Sequence, residues 1–102
     1  MQISTEYYRG ILFIRMKGRL EDNDLAKINN IINEFGIKYV VLNLSSLKDV
    51  SLESIDHIIK YNKEILKKKK YLLICDSNQR RNRLFKNIIP YINNELEAFS
   101  LI

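Results

Sequence analysis

The sequence predicts one α/β domain in which helices pack against a mixed β-sheet. Apolar patterns of helical period alternate with short runs rich in β-branched residues, and the chain opens with two strand-like segments joined by Arg-Gly. Helices that alternate with buried strands require crossover connections and parallel pairing, whereas an opening hairpin is antiparallel. A chain of this length is long enough for one domain and too short for two, so residues 1–102 are expected to form a single domain.

The start of the chain predicts a β-hairpin. Residues 2–8, QISTEYY, alternate in the manner of a strand. A tight turn is predicted at Arg9-Gly10, with Gly10 supplying a positive φ. Residues 11–20, ILFIRMKGRL, then predict a second strand, and its continuous apolar start indicates burial on both faces.

Residues 21–36, EDNDLAKINNIINEFG, predict the first helix. Asp22 or Asn23 can cap its N-terminus, and Gly36 is placed to end it. The apolar residues that share one helical face are Leu25, Ile28, Ile32 and Phe35. The following run KYVVLNL, residues 38–44, predicts a strand covered on both faces.

The second half of the chain continues the alternation. Residues 51–67 predict the second helix, and residues 71–75, YLLIC, predict a short interior strand. Residues 77–89 predict a third helix with outward arginines, which Pro90 helps to stop. Its inward residues are predicted to be Leu84, Phe85, Ile88 and Ile89. The tail LEAFSLI, residues 96–102, predicts a last strand, and the order becomes β-β-α-β-α-β-α-β.

Several classes of function lack their residues here. Cys75 and His57 are the only residues of their types, so neither a disulfide nor a cysteine–histidine metal site can form within the chain. The sequence has no Gly-rich phosphate loop, acid pair or nucleophile elbow, so no enzymatic activity and no cofactor are predicted. The N-terminus lacks a secretion signal, and no apolar run approaches the ~20 residues needed to span a bilayer. A cytoplasmic protein is therefore predicted.

The net charge of +5 raises the question of whether the protein binds nucleic acid or an anionic membrane. Much of the excess lies in KKKK at 67–70 and RRNR at 80–83. The lysines suit a helix C-terminus, where exposed carbonyls favour cations. Strands buried on both faces leave little platform on which bases could stack. Nucleic-acid binding is not expected, and a membrane is expected only through a partner.

The order and spacing of these segments are similar to those of a STAS domain, the fold of bacterial anti-sigma-factor antagonists and of cytoplasmic modules of sulfate transporters. The most specific elements are GRLE at Gly18–Glu21, VVLNL at Val40–Leu44 and RLF at residues 83–85. The similarity covers essentially the whole chain. The similarity implies a STAS-like mixed sheet and a non-enzymatic regulatory role. An antagonist of this family binds a partner kinase that otherwise holds a sigma factor, and so frees that sigma factor.

In that family the kinase phosphorylates a serine of a DSSG motif at the start of the second helix. Ungapped alignment from Val40 places Ser51, Leu52, Glu53 and Ser54 on the four motif positions. The phosphoacceptor position therefore holds leucine, which cannot carry a phosphate, and the switch is predicted to be lost. Phosphorylation of Ser51 or Ser54 by a tolerant kinase remains the alternative.

The serines of this stretch also have structural interpretations. Ser51 fits a helix N-cap that accepts a hydrogen bond from the amide of Glu53 or Ser54. Ser45 and Ser46 suit a polar turn after the third strand.

The corner formed by Glu21 and residues Ser51, Leu52, Glu53 and Ser54 is predicted to remain the partner-binding surface. Leu52 would present an apolar side chain beside the charge of Glu53. The alternative is that Leu52 folds back onto the sheet as a hydrophobic staple.

The partner implied by the resemblance is an anti-sigma factor kinase or another signalling or assembly protein. The alternative function is that of the small STAS subunit of a bacterial ABC lipid transporter.

Overall fold

One five-stranded β-sheet organises the protein, whose computed structural model describes residues 1–21 and 23–101. The strands are β1 (Gln2–Tyr8), β2 (Ile11–Gly18), β3 (Tyr39–Leu47), β4 (Tyr71–Cys75) and β5 (Tyr91–Ile92). The helices are α1 (Asp24–Phe35), α2 (Leu52–Lys67), α3 (Gln79–Leu84) and α4 (Ala98–Leu101), with a 3-10 turn at Glu95–Glu97 before α4.

Neighbouring strands in the sheet follow the order of the chain. β1 pairs antiparallel with β2, and β2 to β5 are parallel to one another, so the predicted mixed sheet is confirmed. The hairpin turn has positive φ at both Arg9 (51°) and Gly10 (82°). This is the backbone of a type I′ turn, which matches the twist of the strands that it joins.

The sheet is buried on both faces, as the apolar runs predict. On one face α1, α2 and the chain after α3 cover the larger core, which includes Leu12, Ile14, Met16, Val40, Leu42, Leu44, Ile28, Ile32, Ile58 and Phe85. The other face carries a smaller core of Ile11, Phe13, Val41, Leu73, Cys75, Ile92 and Ala98. Because successive side chains of β2 and β3 point to opposite faces of the sheet, each strand contributes residues to both cores.

The predicted last strand at residues 96–102 is wrong. Residues 95–97 form the 3-10 turn and Ala98–Leu101 form α4, while Ile102 lies outside the described residues. The fifth strand is Tyr91–Ile92, which takes the free edge of β4 directly after Pro90. The tail then crosses the second face, where the Phe99 ring lies 5.8 Å from that of Tyr8. The apolar residues of the tail thus cover a face rather than extend an edge.

The first helix begins and ends close to its predicted bounds. Asn23 occupies the N-cap position without a side-chain cap bond, and Asp22 lies outside the described residues. Asp24 instead accepts the Glu21 amide hydrogen at 2.7 Å. Gly36 ends the helix with φ 60°, as predicted, because a residue without Cβ adopts this left-handed backbone without strain.

Ser45 and Ser46 do not lie in a turn, so that prediction is wrong. β3 continues to Leu47, with Ser46 opposite Lys17 after an irregularity in the register. Ser45 Oγ accepts the amide hydrogen of Ser77 at 3.0 Å, which joins the end of β3 to the segment after β4. The hydroxyl of Ser45 therefore has a structural role.

The third helix is shorter than predicted and ends at Leu84. Phe85 and Ile89 are buried as expected, but Leu84 and Ile88 are exposed. Asn87 adopts a left-handed backbone with φ 63°, which breaks the helical register between the two buried residues. Ile88 therefore turns outward although the helical period places it inward.

A carboxylate fixes the tail to the second face of the sheet. Glu95 accepts hydrogen bonds from Arg15 Nη2 at 2.7 Å, from Arg15 Nε at 2.9 Å and from Asn43 Nδ2 at 2.7 Å. Arg15 also pairs with Glu6 at 2.8 Å, so the guanidinium joins the tail to β1. The hydrogen bond from Arg15 lowers the pKa of Glu95 below its ordinary value of 4.5.

Glu95→Gln should lower the free energy of unfolding at neutral pH by about 1–2 kcal/mol, because charged hydrogen bonds become neutral ones. A carboxyl whose folded-state pKa is depressed stabilises the fold above its unfolded pKa and loses this effect as the pH falls through the folded pKa. The difference between wild type and variant should therefore shrink below pH 4.5. Urea unfolding of wild type and Glu95→Gln at neutral and acid pH measures this difference in free energy. The exposed Glu34 supplies the control, Glu34→Gln, and an equal difference at every pH would contradict the assignment.

Candidate partner-docking site

The carboxyl ends of the parallel strands meet at one edge of the sheet, and α2 begins there. An open cleft at this edge is lined by Arg19, Leu20, residues 48–51, Asn78 and Arg81. The Lys48 amide donates to the Gly18 carbonyl at 2.8 Å, which ties the ends of β2 and β3 together. In α/β sheets this edge is where ligands and partners commonly bind, because loops and helix N-termini converge on it.

Ser51 caps α2, as predicted. Its backbone is extended (φ −72°, ψ 157°), and its Oγ accepts the amide hydrogen of Ser54 at 3.0 Å. The two hydroxyl oxygens also lie 3.0 Å apart in a hydrogen bond from Ser51 to Ser54. Glu53 occupies the first turn, where a negative charge is favoured by the helix dipole. Both serines of the corner are thus engaged in building the helix start.

Leu52 is 69% exposed, so its interpretation as a hydrophobic staple is wrong. The residue that precedes the cap, Val50, packs against the larger core instead, and Ile55 belongs to that core. These are the two positions that a staple uses. Leu52, at the first position of the helix, is left to project into solvent beside the exposed Glu53.

Glu21 lies at the same edge of the sheet but not in the cleft beside Ser51. Its amide and carbonyl both bond to Asp24, through Oδ2 at 2.7 Å and the amide nitrogen at 3.0 Å. Arg19 and Leu20 line the cleft in its place. Glu21 therefore helps to start α1, with its side chain exposed to solvent.

Arg81 is the main residue of the site that the sequence did not reveal. Its Nε lies 2.7 Å from Oδ2 of the fully buried Asp76. Its two terminal nitrogens donate to the carbonyls of Leu47 at 3.0 Å and Leu44 at 3.2 Å. The prediction that the arginines of α3 face outward is wrong for Arg81, because these buried acceptors at the end of β3 require a donor. A usable signal existed: an aspartate directly after a buried strand, with an arginine five residues on.

Comparisons with known proteins agree on the fold. The chain is 27% identical over 109 aligned residues to the anti-sigma F factor antagonist of Paenibacillus polymyxa, with 98% of this chain and 93% of that protein covered. The structure of SpoIIAA, an anti-sigma factor antagonist in its unphosphorylated form, superposes with a TM-score of 0.73 at 14% identity over 97% of this chain and 94% of that one. The chain therefore has a STAS-like fold.

A second solved structure leads to the same fold. The NMR structure of the protein TM1081 matches this chain with a TM-score of 0.78 at 15% identity, covering 98% of this chain and 87% of the other. No protein-family model matches the chain.

The described residues hold no metal-ligating cluster, no reactive thiol and no membrane-spanning helix. Within residues 1–21 and 23–101, no group of three or more histidine, cysteine, aspartate or glutamate side chains could hold a metal ion. Cys75 is buried, and burial raises the pKa of its thiol to about 11, which keeps it protonated at neutral pH. No helix in the described part of the chain is long and apolar enough to cross a membrane.

Arg81→Ala should lower the free energy of unfolding by about 3–5 kcal/mol, because it leaves the buried carboxylate of Asp76 without its counter-charge. Urea denaturation measures the change. Arg80→Ala and Arg83→Ala remove the same charge from exposed positions of α3 and should cost less than about 0.5 kcal/mol.

The double variant Arg81→Ala with Asp76→Asn should regain part of the loss, because the uncompensated charge is gone. Equal effects of the three arginine substitutions would show that the ion pair contributes nothing particular to the fold.

Proposed function

We propose that this STAS-like domain is a non-enzymatic regulatory module that binds a protein partner as an anti-sigma factor antagonist does. The observation that carries the proposal is the exposed Leu52 at the start of α2. The similarity to the Paenibacillus polymyxa anti-sigma F factor antagonist supports the same class of function. The partner is a kinase-like anti-sigma factor or a related signalling protein, and any membrane association is through that partner.

The chemistry of the corner supports docking of a protein. Leu52 offers an apolar side chain and is followed on the helix by the charged Glu53. The adjacent cleft, which includes Ser51, carries the charged side chains of Arg19 and Lys48. A small apolar centre within a polar rim is the usual anatomy of a protein–protein interface. Because Ser51 fixes the first turn, the leucine is presented with little loss of conformational entropy on binding.

The phosphorylation cycle is proposed to be absent from this corner. Leu52 stands at the aligned phosphoacceptor position, and the hydroxyls of Ser51 and Ser54 are hydrogen-bonded to each other. Phosphorylation of either serine would replace that hydrogen bond and place a dianion beside Glu53. Binding is therefore controlled by the amount of this protein or by its partner, and not by the charge of these serines.

Leu52→Ser should weaken partner binding at least tenfold while changing the free energy of unfolding by less than about 0.5 kcal/mol, because the side chain is exposed in the free protein. Wild type and variant serve as baits for affinity purification from the native cell, with the captured proteins quantified by mass spectrometry. Leu96→Ser is the matched control, since Leu96 is 77% exposed on the tail. Equal capture by wild type and Leu52→Ser, or capture of a membrane-bound ATPase instead of a regulatory protein, would contradict the proposal.

Incubation with the captured kinase and ATP should leave wild-type residues 51–54 unmodified, whereas Leu52→Ser should restore an acceptor and gain phosphate at position 52. Phosphopeptide mapping distinguishes the sites. Robust labelling of Ser51 or Ser54 in the wild type would overturn the loss of the switch without affecting the docking surface.

A further inference from the structure

The outer side of β1 is the most exposed backbone edge of the sheet. β1 is seven residues long, whereas the strand at the opposite edge, β5, has two. Within the described residues, β1 pairs only with β2, and residues 4–8 are exposed. Natural proteins protect such an edge with proline, lysine or a bulge, or keep it short. QISTEYY contains neither proline nor lysine, and its register with β2 is continuous.

The hairpin turn determines which backbone groups on β1 are free. In a two-residue turn the carbonyl before the turn accepts the amide hydrogen of the residue after it, here Tyr8 and Ile11. Tyr8 therefore directs its backbone groups toward β2, and the direction alternates along the strand. Ile3, Thr5 and Tyr7 direct their amides and carbonyls outward, away from the sheet.

We infer that β1 pairs antiparallel with β1 of a second copy of this chain, about a two-fold axis at Thr5. The outward amides and carbonyls of one β1 then bond to those of the other. Thr5 lies opposite Thr5 of the second copy, and Ile3 of each copy lies opposite Tyr7 of the other, which gives three hydrogen-bonded pairs. Two five-stranded sheets become one continuous sheet.

The side chains favour this register over its neighbours. Pairs of threonines and pairs of an aromatic with a β-branched residue are among the stabilising cross-strand pairs. On the opposite face of the sheet, Glu6 of each copy lies opposite Ser4 of the other copy. A shift of the register toward the turn sets Glu6 opposite Glu6, where like charges repel, and a shift the other way leaves Tyr8 without a partner.

The net charge of +5 does not oppose this contact. The only charged residue of β1 is Glu6, which already pairs with Arg15 at 2.8 Å. The basic residues 67–70 and 80–83 flank β4, which β2 and β3 separate from β1. The contact is small and mainly made by backbone, so a concentration-dependent dimer is expected.

Sedimentation equilibrium of the full chain tests the inference, with samples up to ~1 mM. The wild type should pass from monomer to dimer with concentration. Thr5→Pro removes an amide hydrogen that points away from β2, so the fold should persist while the dimer weakens roughly tenfold or more. Thr5→Val retains the pairing and should dimerise as the wild type does. A wild type that stays monomeric, or a Thr5→Pro variant that dimerises equally, overturns the inference.

Charge pairs at the axis give a second, more specific test. Thr5→Lys and Thr5→Glu each place like charges opposite each other and should weaken their own dimers roughly fivefold or more. An equimolar mixture of the two should form heterodimers more readily than either variant self-associates. Failure of the mixture to associate overturns the proposed register, since exposed substitutions that had merely damaged the fold would not recover on mixing. Unfolding curves of both variants identify such damage.

Amide hydrogen exchange reports the same register residue by residue. In the dimer the amides of Ile3, Thr5 and Tyr7 should be protected, and dilution should release them. The amides of Ser4 and Glu6 should stay protected at every concentration because they bond to β2. Uniform protection along β1, independent of dilution, overturns the inference. None of these outcomes depends on Leu52 or on the proposed function.

Discussion

The guanidinium of Arg81 holds together the edge of the sheet from which α2 starts. It compensates the charge of Asp76, a carboxylate with no solvent exposure, and it donates to the carbonyls of Leu44 and Leu47 in β3. An uncompensated charge at that depth would be very costly, so the pair is expected to persist whenever the domain is folded. The loop from β3 to α2 begins at this anchored point. The ion pair between Asp76, which follows β4, and Arg81 of α3 therefore anchors the loop that leads to Leu52.

Local patterns in the sequence were sufficient for most of the fold. The two-residue turn at Arg9-Gly10, the glycine that ends α1 and the cap at Ser51 depend on residues only a few positions apart, and the structure contains all three. The continuous apolar runs of β2 and β3 correctly indicated two buried faces. In each case the residues that determine the local structure lie within the segment that adopts it.

Predictions failed where burial depends on a distant segment. The tail is rich in apolar residues, but the free edge of β4 is already occupied by Tyr91–Ile92, so the tail covers the second face through Ala98 and Phe99. Similarly, helical periodicity placed Arg81 with the exposed arginines, because the buried acceptors that attract it belong to β3. The exposure of Leu52 was left open for the same reason, since only the packing of Val50 decides which residue covers the core.

The proposed docking corner lies at the carboxyl edge of the parallel strands, whereas β1 forms a lateral edge of the sheet. In a continuous sheet formed by antiparallel β1 strands, the two-fold axis is perpendicular to the sheet, so α1 and α2 of both copies lie on the same face. The carboxyl edges of their parallel strands then point in opposite directions. The two α2 corners would then lie at opposite ends of the dimer. Self-association would thus make the module bivalent, and a partner that is itself dimeric would gain avidity only if its two sites can span that separation.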